Sequence, residues 1–290
     1  MTQATAALPA PAFDPPRAAS FIVTVYGDLV EPRGGVLWMG SLIALCAQAG
    51  LSETLVRTAV SRLVVAGQLA GKREGRRSFY SLTPAARAGF QTAAGAIFRP
   101  AGTDAAEGWL WLIDPDAGAA EALARAGFAE AAPGLWLGPD RAAPDLDAAG
   151  GGRMWAAPAA GTEAIAAFVA RHWDLPAHAA RYRAVLDRFS ALEPQAANLA
   201  PAEALALRLR LVHDFRHALL RDPRLPAAAL PRDWPGPAAR RLFCRMYAAL
   251  SPAAEAGAAA GLEGRAGPLP ARTPATEARL RALATAGASG

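Results

Sequence analysis

One segment, residues 41–82, constrains the fold of this chain more than any other part of the sequence. Its first part has apolar residues at helical spacing on both sides of the short turn Gly50-Leu51-Ser52, which predicts two helices. Its second part has two short strand patterns around a turn at Glu74-Gly75. A helix–turn–helix followed directly by a β-hairpin is the order of a winged helix-turn-helix, and we predict this fold for residues 20–98.

The second predicted helix, residues 53–66, separates into an apolar and a polar side when its residues are placed about 100° apart. The apolar side consists of Leu55, Val56, Ala59, Val60, Leu63 and Val64. The polar side carries hydroxyl and guanidinium groups, which belong to Thr54, Arg57, Thr58, Ser61 and Arg62. A helix in the major groove of DNA needs donors for phosphates and base edges, and no anion against the backbone. We therefore predict that this polar side contacts DNA.

The predicted hairpin is strongly basic around its tip. Its cations surround a single carboxylate, Glu74, and they are Lys72, Arg73, Arg76 and Arg77. A basic hairpin by itself is usually a solvated loop, but one that directly follows a recognition helix is typical of a wing that binds the DNA backbone or minor groove. The charge distribution agrees with this, since residues 1–90 contain nine Lys/Arg and five Asp/Glu, a net +4, whereas the rest contain 21 and 20, a net +1.

The remainder of the chain divides into four further parts. Residues 1–19 are rich in Ala and Pro and are predicted to form a disordered lead-in. A β-α-β-β-α order predicts a ferredoxin-like domain over residues 105–172, and residues 173–250 are predicted to be mainly helical. Residues 251–290 are predicted to be a flexible tail, apart from a helix at 275–285. The predicted fold class is therefore α+β.

The sequence gives no sign of a membrane protein or of an enzyme. No charge-free apolar run is long enough to span a bilayer and the first residues lack a secretory pattern, so we expect a cytoplasmic protein. Cys46 and Cys244 lie in apolar, helix-like stretches and are predicted to be buried side chains. Because the sequence contains no GxSxG, HExxH or P-loop motif, we predict no catalytic residues, no metal and no cofactor.

Three stretches of this sequence closely resemble the PaaX-type family of phenylacetic acid catabolism repressors. They are VYGDLVEPRGGVLWMGSLIAL, GLSETLVRTAVSRLVVAGQLAGKREGRRSFYSLTPAAR and RLRLVHDFRHALLRDPRLPAAALPRDWPG. The resemblance covers about residues 20–250. It implies a dimeric repressor with an N-terminal winged helix, a central ferredoxin-like domain of the Cas2 type and a helical C-terminal domain. It further implies that an acyl-CoA, typically phenylacetyl-CoA, releases the repressor from double-stranded operator DNA.

A site for an acyl-CoA needs cations for the phosphates and an apolar pocket for the acyl group. Within the helical part, Trp173, Arg216 and Arg221 are the effector-binding candidates. A purely structural alternative pairs the arginines of this helix with acids such as Asp187, Asp214 and Asp222. His213 and His217 have the i, i+4 spacing of zinc ligands, but no third ligand is evident in the sequence.

A different class of function is an enzyme with the winged helix as a targeting arm, either a metal-dependent nuclease or an acyl-CoA hydrolase. Asp114 ends the first central strand, where such a nuclease would hold a metal. It opens an Asp-Pro-Asp sequence that is common in turns, so we predict a turn residue. Trp109, Trp111 and Trp136 are predicted to fill a core or an interface rather than to stack on bases.

Overall fold

A computed structural model describes residues 13–102, 108–140, 149–156 and 163–284. The chain forms two compact units, of which the first combines Met1–Ala88 with Ala258–Ala271 and the second combines Gly89–Gly257 with Arg272–Gly290. Both units contain helices and small antiparallel sheets. This mixed architecture confirms the predicted α+β class.

The described residues of the first unit include three complete α-helices, a three-stranded sheet and a short C-terminal hairpin, which is given below. Its helices are α1 (Ala18–Val25), which continues as a π-helical turn and a 3-10 turn to Arg33, α2 (Met39–Ala47) and α3 (Glu53–Val65). Its strands are β1 (Val36–Trp38), β2 (Leu69–Glu74) and β3 (Arg77–Leu82). The strands are antiparallel in the order β1-β3-β2. The helices and the hairpin predicted within residues 41–82 are therefore present, in the predicted order.

Local sequence explains where these elements begin and end. The Ser52 hydroxyl accepts a hydrogen bond from the Leu55 amide and caps α3, and Gly67 ends the helix with a left-handed φ of 67°. Gly75, with φ of 59°, supplies the positive φ that the tight turn between β2 and β3 requires. The apolar sides of α1, α2 and α3 form the core, in which Ile22, Leu42 and Val56 are fully buried.

The second unit begins at Gly89, within α4 (Pro84–Ile97), and continues into a four-stranded sheet. The sheet contains β4 (Trp109–Ile113), β5 (Ala129–Ala132), β6 (Leu135–Pro139) and β7 (Gly152–Ala156), in the antiparallel order β5-β6-β4-β7. The helix α5 (Ala120–Arg125) joins β4 to β5, and α6 (Glu163–His172) follows β7. Because β4 and β5 run in the same direction with β6 between them, they form a split β-α-β unit.

Residues on β4 alternate between two cores, as the period of a strand requires. Leu110 and Leu112 pack with α5 on one face of the sheet, and Trp136 joins that core. Trp109 and Trp111 pack on the other face, in a core that also contains Trp173. The three predicted core tryptophans of the central part therefore fill cores. Asp114 lies in a left-handed turn after β4, and its amide donates to the Gly134 carbonyl.

Helices make up the rest of the second unit. They are α7 (Leu175–Phe189), a 3-10 segment (Ser190–Asn198), α8 (Pro201–Leu219), a 3-10 turn (Ala227–Ala229), α9 (Gly236–Gly261) and α10 (Pro274–Ala284). The Arg240 side chain is almost fully buried and donates to the Ala96 and Ile97 carbonyls at the end of α4. It thereby satisfies two of the acceptors that a helix C-terminus leaves open.

The structure differs from the predicted flexible tail over residues 251–273, whereas the helix predicted at 275–285 is observed as α10. The helix α9 continues to Gly261, the short strands β8 (Glu263–Gly264) and β9 (Gly267–Pro268) pair with each other, and α10 follows. Small residues permit close packing here, since a Cβ at Gly257 would lie 2.5 Å from the Pro201 carbonyl oxygen. At Gly257 the missing side chain thus permits a tight contact between α9 and the start of α8.

Other boundaries also differ from the predicted domains. The central and C-terminal parts form a single unit, because Leu225 and Ala229 from the C-terminal part share the core of Trp109. The helix α1 begins at Ala18, inside the predicted lead-in, and residues 1–12 lie outside the described residues. Both cysteines are buried and free, as predicted. Among the described residues, no helix combines the length and apolar character needed to cross a membrane.

Candidate nucleic-acid interface

The polar side of α3 faces solvent. Its buried residues are Val56, Ala59, Val60 and Leu63. All five predicted DNA-contacting residues of this helix are exposed, namely Thr54, Arg57, Thr58, Ser61 and Arg62. The Arg57 guanidinium pairs with Glu53 one turn earlier at 2.8 Å, and both side chains are more than half exposed. An exposed pair of this kind contributes little to stability, so a phosphate can replace Glu53 as the partner of Arg57.

Two residues assigned to the apolar side are exposed instead. Leu55 is 49% exposed and Val64 is 38% exposed. The buried residues of α3 span an arc of about 100°, and these two positions lie about 40° outside it on either side. Leu55 therefore borders the polar side in the first turn of the helix. In a helix that enters the major groove, an exposed apolar side chain in the first turn can contact the methyl group of thymine, so Leu55 is a further candidate beside the predicted residues.

The cations of the β2–β3 hairpin gather around its tip but differ in their partners. Lys72 lies 3.3 Å from Glu74, and the Arg73 Nε donates to the Gly75 carbonyl at 3.1 Å. Arg76 occupies the turn, is exposed, and has no ion-pair partner within the described part of the chain. Of the four, Arg76 is therefore the cation most available to a phosphate.

Arg77 is held by the protein itself. Its guanidinium lies over the Trp38 ring at 4.6 Å and forms an ion pair with Glu263. Glu263 belongs to the C-terminal segment that returns to the first unit, where its amide donates to the Ser41 hydroxyl at 3.0 Å. The Arg33 side chain fixes the same segment by donating to the Pro270 and Ala271 carbonyls. No local sequence signal marks this return, because the partners are separated by more than 180 residues.

The three effector-binding candidates occupy different environments. Trp173 is buried in the core of the second unit, where its Nε1 donates to the Gly127 carbonyl at 3.0 Å. Arg221 is exposed, and its Nη1 lies 2.6 Å from the His217 Nδ1. Arg216 is partly buried, and burial together with the charge of Arg221 lowers its pKa to about 10. The two arginines therefore form a positive cluster at the C-terminal end of α8, with Arg221 just beyond the helix, whereas Trp173 is a core residue.

The structural alternative for α8 is that its arginines pair with nearby acids, and some of these pairs are present. Asp214 pairs with Arg210 at 3.2 Å and with Arg188 from α7. His213 is buried, and desolvation, followed by the charges of His217, Arg216 and Arg210, lowers its pKa to about 3. The His213 and His217 rings lie 4.6 Å apart, with Arg221 against the second ring. A cation in that position opposes the binding of a metal ion.

A cavity of about 210 Å³ lies beside α8 in the second unit. Its wall is mainly apolar and is formed by Tyr182, Phe215, Leu219, Leu225, Leu230 and Trp234, together with shorter and polar residues. The principal acid in the wall is Asp222, which accepts hydrogen bonds from the Tyr182 hydroxyl at 2.8 Å and the Arg224 amide at 2.7 Å. Burial raises the pKa of Asp222, and these two hydrogen bonds oppose the shift.

Comparison with known proteins assigns the chain to a family. Residues 17–86 match the family described as PaaX-like protein, and residues 173–260 match its C-terminal domain. The chain is 34% identical over 278 residues to the transcriptional repressor PaaX of Escherichia coli K12, covering 89% of this chain and 88% of the relative. This chain belongs to the PaaX-like family. The predicted resemblance is therefore confirmed.

One similar solved structure is the uncharacterized protein Rv0674 from Mycobacterium tuberculosis. The two chains share 26% identity and superpose with a TM-score of 0.50, over 83% of this chain and 98% of the other. The similarity thus extends over both units and is not limited to the helix–turn–helix segment.

Proposed function

We propose that this PaaX-like protein is a transcriptional repressor, a regulator rather than an enzyme, that binds operator DNA through its first unit. The observation that carries the proposal is the exposed side of α3, which presents hydroxyl groups and arginines directly before a basic hairpin. In this proposal the first unit is a winged helix-turn-helix, with α3 as the recognition helix and β2–β3 as the wing. The E. coli relative, a transcriptional repressor, supports the same assignment.

The proposed contacts divide by function. Thr54, Thr58 and Ser61 hydrogen-bond to base edges or phosphates, and Leu55 contacts apolar base atoms. Arg57 and Arg62 bind phosphate or guanine, while Lys72, Arg73 and Arg76 follow the backbone from the wing. Arg77, whose charge is shared with Glu263, contributes less than the others. Two copies of the chain would place two recognition helices in successive major grooves of an operator.

The DNA-binding proposal is tested by fluorescence anisotropy with duplex DNA from the intergenic region upstream of the gene. The Arg57→Ala variant should bind this duplex at least tenfold more weakly, with an unchanged melting temperature. Arg241→Ala removes one exposed arginine from the second unit and serves as the matched control for net charge. Equal binding by the wild type and Arg57→Ala would exclude α3 as the recognition helix.

We further propose that the DNA controls a phenylacetate-type catabolic operon and that an aromatic acyl-CoA releases the protein. The central sheet has the order of a ferredoxin-like domain, with β7 as the fourth strand, and the effector would bind the helical part. The acyl group would occupy the cavity beside α8, since its apolar wall and its volume suit a small aromatic group. Arg216 and Arg221 remain candidates for the phosphates, and Trp173 supports the site from the core.

The effector proposal is tested by blocking the cavity. Ala227 is exposed and lines the cavity, whereas the next residue, Ala228, is exposed and does not line it. Ala227→Trp should keep full affinity for DNA but should no longer respond to phenylacetyl-CoA, and Ala228→Trp should respond like the wild type. If both variants release DNA normally, the acyl group binds elsewhere.

A further inference from the structure

The hairpin formed by β8 and β9 is firmly attached to the first unit. Leu262 and Leu269, on either side of it, are 3% and 4% exposed. Gly264 lies so close to β1 that a Cβ there would be 3.1 Å from the Val36 carbonyl oxygen. The Ser41 hydroxyl accepts a hydrogen bond from the Glu263 amide. The turn of this hairpin, Arg265-Ala266, is therefore an exposed point on a fixed support.

Arg265 extends from that turn to the tip of the β2–β3 hairpin. Its Nε lies 3.0 Å from the Glu74 Oε1, and its side chain is 45% exposed. Glu74 is the last residue of β2 and pairs with Arg77 at the first position of β3. Its carboxylate also lies 3.3 Å from the Lys72 Nζ. Two cations from separate parts of the chain thus share one carboxylate beside the turn.

The charges at this tip do not balance. The carboxylates are Glu74 and Glu263, and the cations are Lys72, Arg73, Arg76, Arg77 and Arg265. When an exposed carboxylate already has one cation as a partner, a second cation adds little stabilisation. Each of these ion pairs is therefore weak in water. A phosphate beside the tip can therefore take one of the two cations without loss of stability.

We propose that Arg265 is a DNA phosphate contact, which makes the β8–β9 hairpin a second support of the wing. This inference rests on the proposed function of the first unit. Glu74 holds Arg265 and Lys72 in the free protein and competes with DNA for them. The DNA-binding surface is thus assembled from two segments that are distant in the sequence.

The alternative for Arg265 is a purely structural role, in which its pair with Glu74 merely fixes the hairpin. Variants at the two partners distinguish the alternatives because they change DNA affinity in opposite directions. Arg265→Ala removes a phosphate contact and weakens binding in our proposal. Glu74→Gln releases Arg265 and Lys72 from their competitor and strengthens binding. If the ion pair only fixed the hairpin, both variants would weaken binding.

The experiment is an anisotropy titration of the full chain, at several salt concentrations, with the upstream duplex and with a random-sequence duplex of equal length. Arg265→Ala should lower the affinity for both duplexes by about three- to tenfold and reduce the slope of log affinity against log salt by about one. Glu74→Gln should raise the affinity, and Arg265→Lys should stay close to the wild type because it keeps the charge. Melting temperatures of all variants are compared to exclude unfolding.

The outcomes separate this proposal from the proposed function. If the wild type binds and Arg57→Ala weakens binding but Arg265→Ala stays within twofold of the wild type, the repressor assignment stands and the role of Arg265 is refuted. Weaker binding by Glu74→Gln also refutes it. A wild type that binds neither duplex contradicts the proposed function itself. Arg241→Ala, which removes an exposed arginine of the second unit, should leave the salt slope unchanged.

Discussion

His213 makes the stability of this protein depend on pH in a way that can be calculated. Burial, with the nearby His217, Arg216 and Arg210, lowers its pKa from 6.5 to about 3, so the folded protein holds a neutral imidazole. Below about pH 6.5 the unfolded chain binds a proton that the folded chain excludes. The free energy of unfolding therefore decreases as the pH is lowered. On acidification from about pH 7 to about pH 5, His213 alone should lower the free energy of unfolding by about 2 kcal/mol.

The assay is urea unfolding of the wild type and of His213→Gln at the two pH values, followed by circular dichroism and by tryptophan fluorescence. The variant should lose about 2 kcal/mol less on acidification than the wild type, whatever its absolute stability. His178 also has a pKa lowered by burial but is less buried than His213, so His178→Gln should remove a smaller part of the dependence. The same loss in wild type and His213→Gln would refute a neutral, buried His213.

Three further predictions concern single side chains. Arg240→Ala should lower the free energy of unfolding in urea by about 3 kcal/mol, because the carbonyls at the end of α4 lose a charged donor. A loss below about 1 kcal/mol would show that water replaces the guanidinium as the donor. Leu55→Ala should weaken binding to the upstream duplex more than binding to the random-sequence duplex, while the slope of log affinity against log salt stays constant. An equal loss of affinity for the two duplexes would argue against a contact between Leu55 and a base. Ser52→Ala should lower the free energy of unfolding by about 1 kcal/mol, and Ser52→Gly should lower it by only about a few tenths of a kcal/mol. Equal losses for the two variants would mean that the hydroxyl does not act as a cap.

The best-predicted parts of the structure are those whose signals are local. The helix predicted over residues 53–66 is observed as α3 (Glu53–Val65), because a capping serine and a terminal glycine bound a regular apolar pattern. The turn of the basic hairpin followed in the same way from Glu74-Gly75. Helix periodicity did not determine the width of the buried arc, which depends on the elements that pack against it. Leu55 was therefore assigned to the wrong side.

The central sheet shows where local signals become weak. The strand β5 (Ala129–Ala132) consists of alanines and one glutamate, without the β-branched or aromatic residues that mark strands, and it was not predicted. Its pairing with β6 makes it a strand. The C-terminal segment was predicted to be flexible for a similar reason, since small residues carry little periodic pattern.

The sequence by itself determined the order and type of the elements within residues 41–82, the polar side of α3 and the basic charge of the hairpin. These depend on residues a few positions apart, and local spacing and capping are sufficient to specify them. Only the tertiary structure decided that Arg77 pairs with Glu263, that Arg265 lies beside Glu74, and that residues as distant as Tyr182 and Trp234 line one cavity. Such contacts join residues far apart in the chain, and the folding of the whole unit selects them.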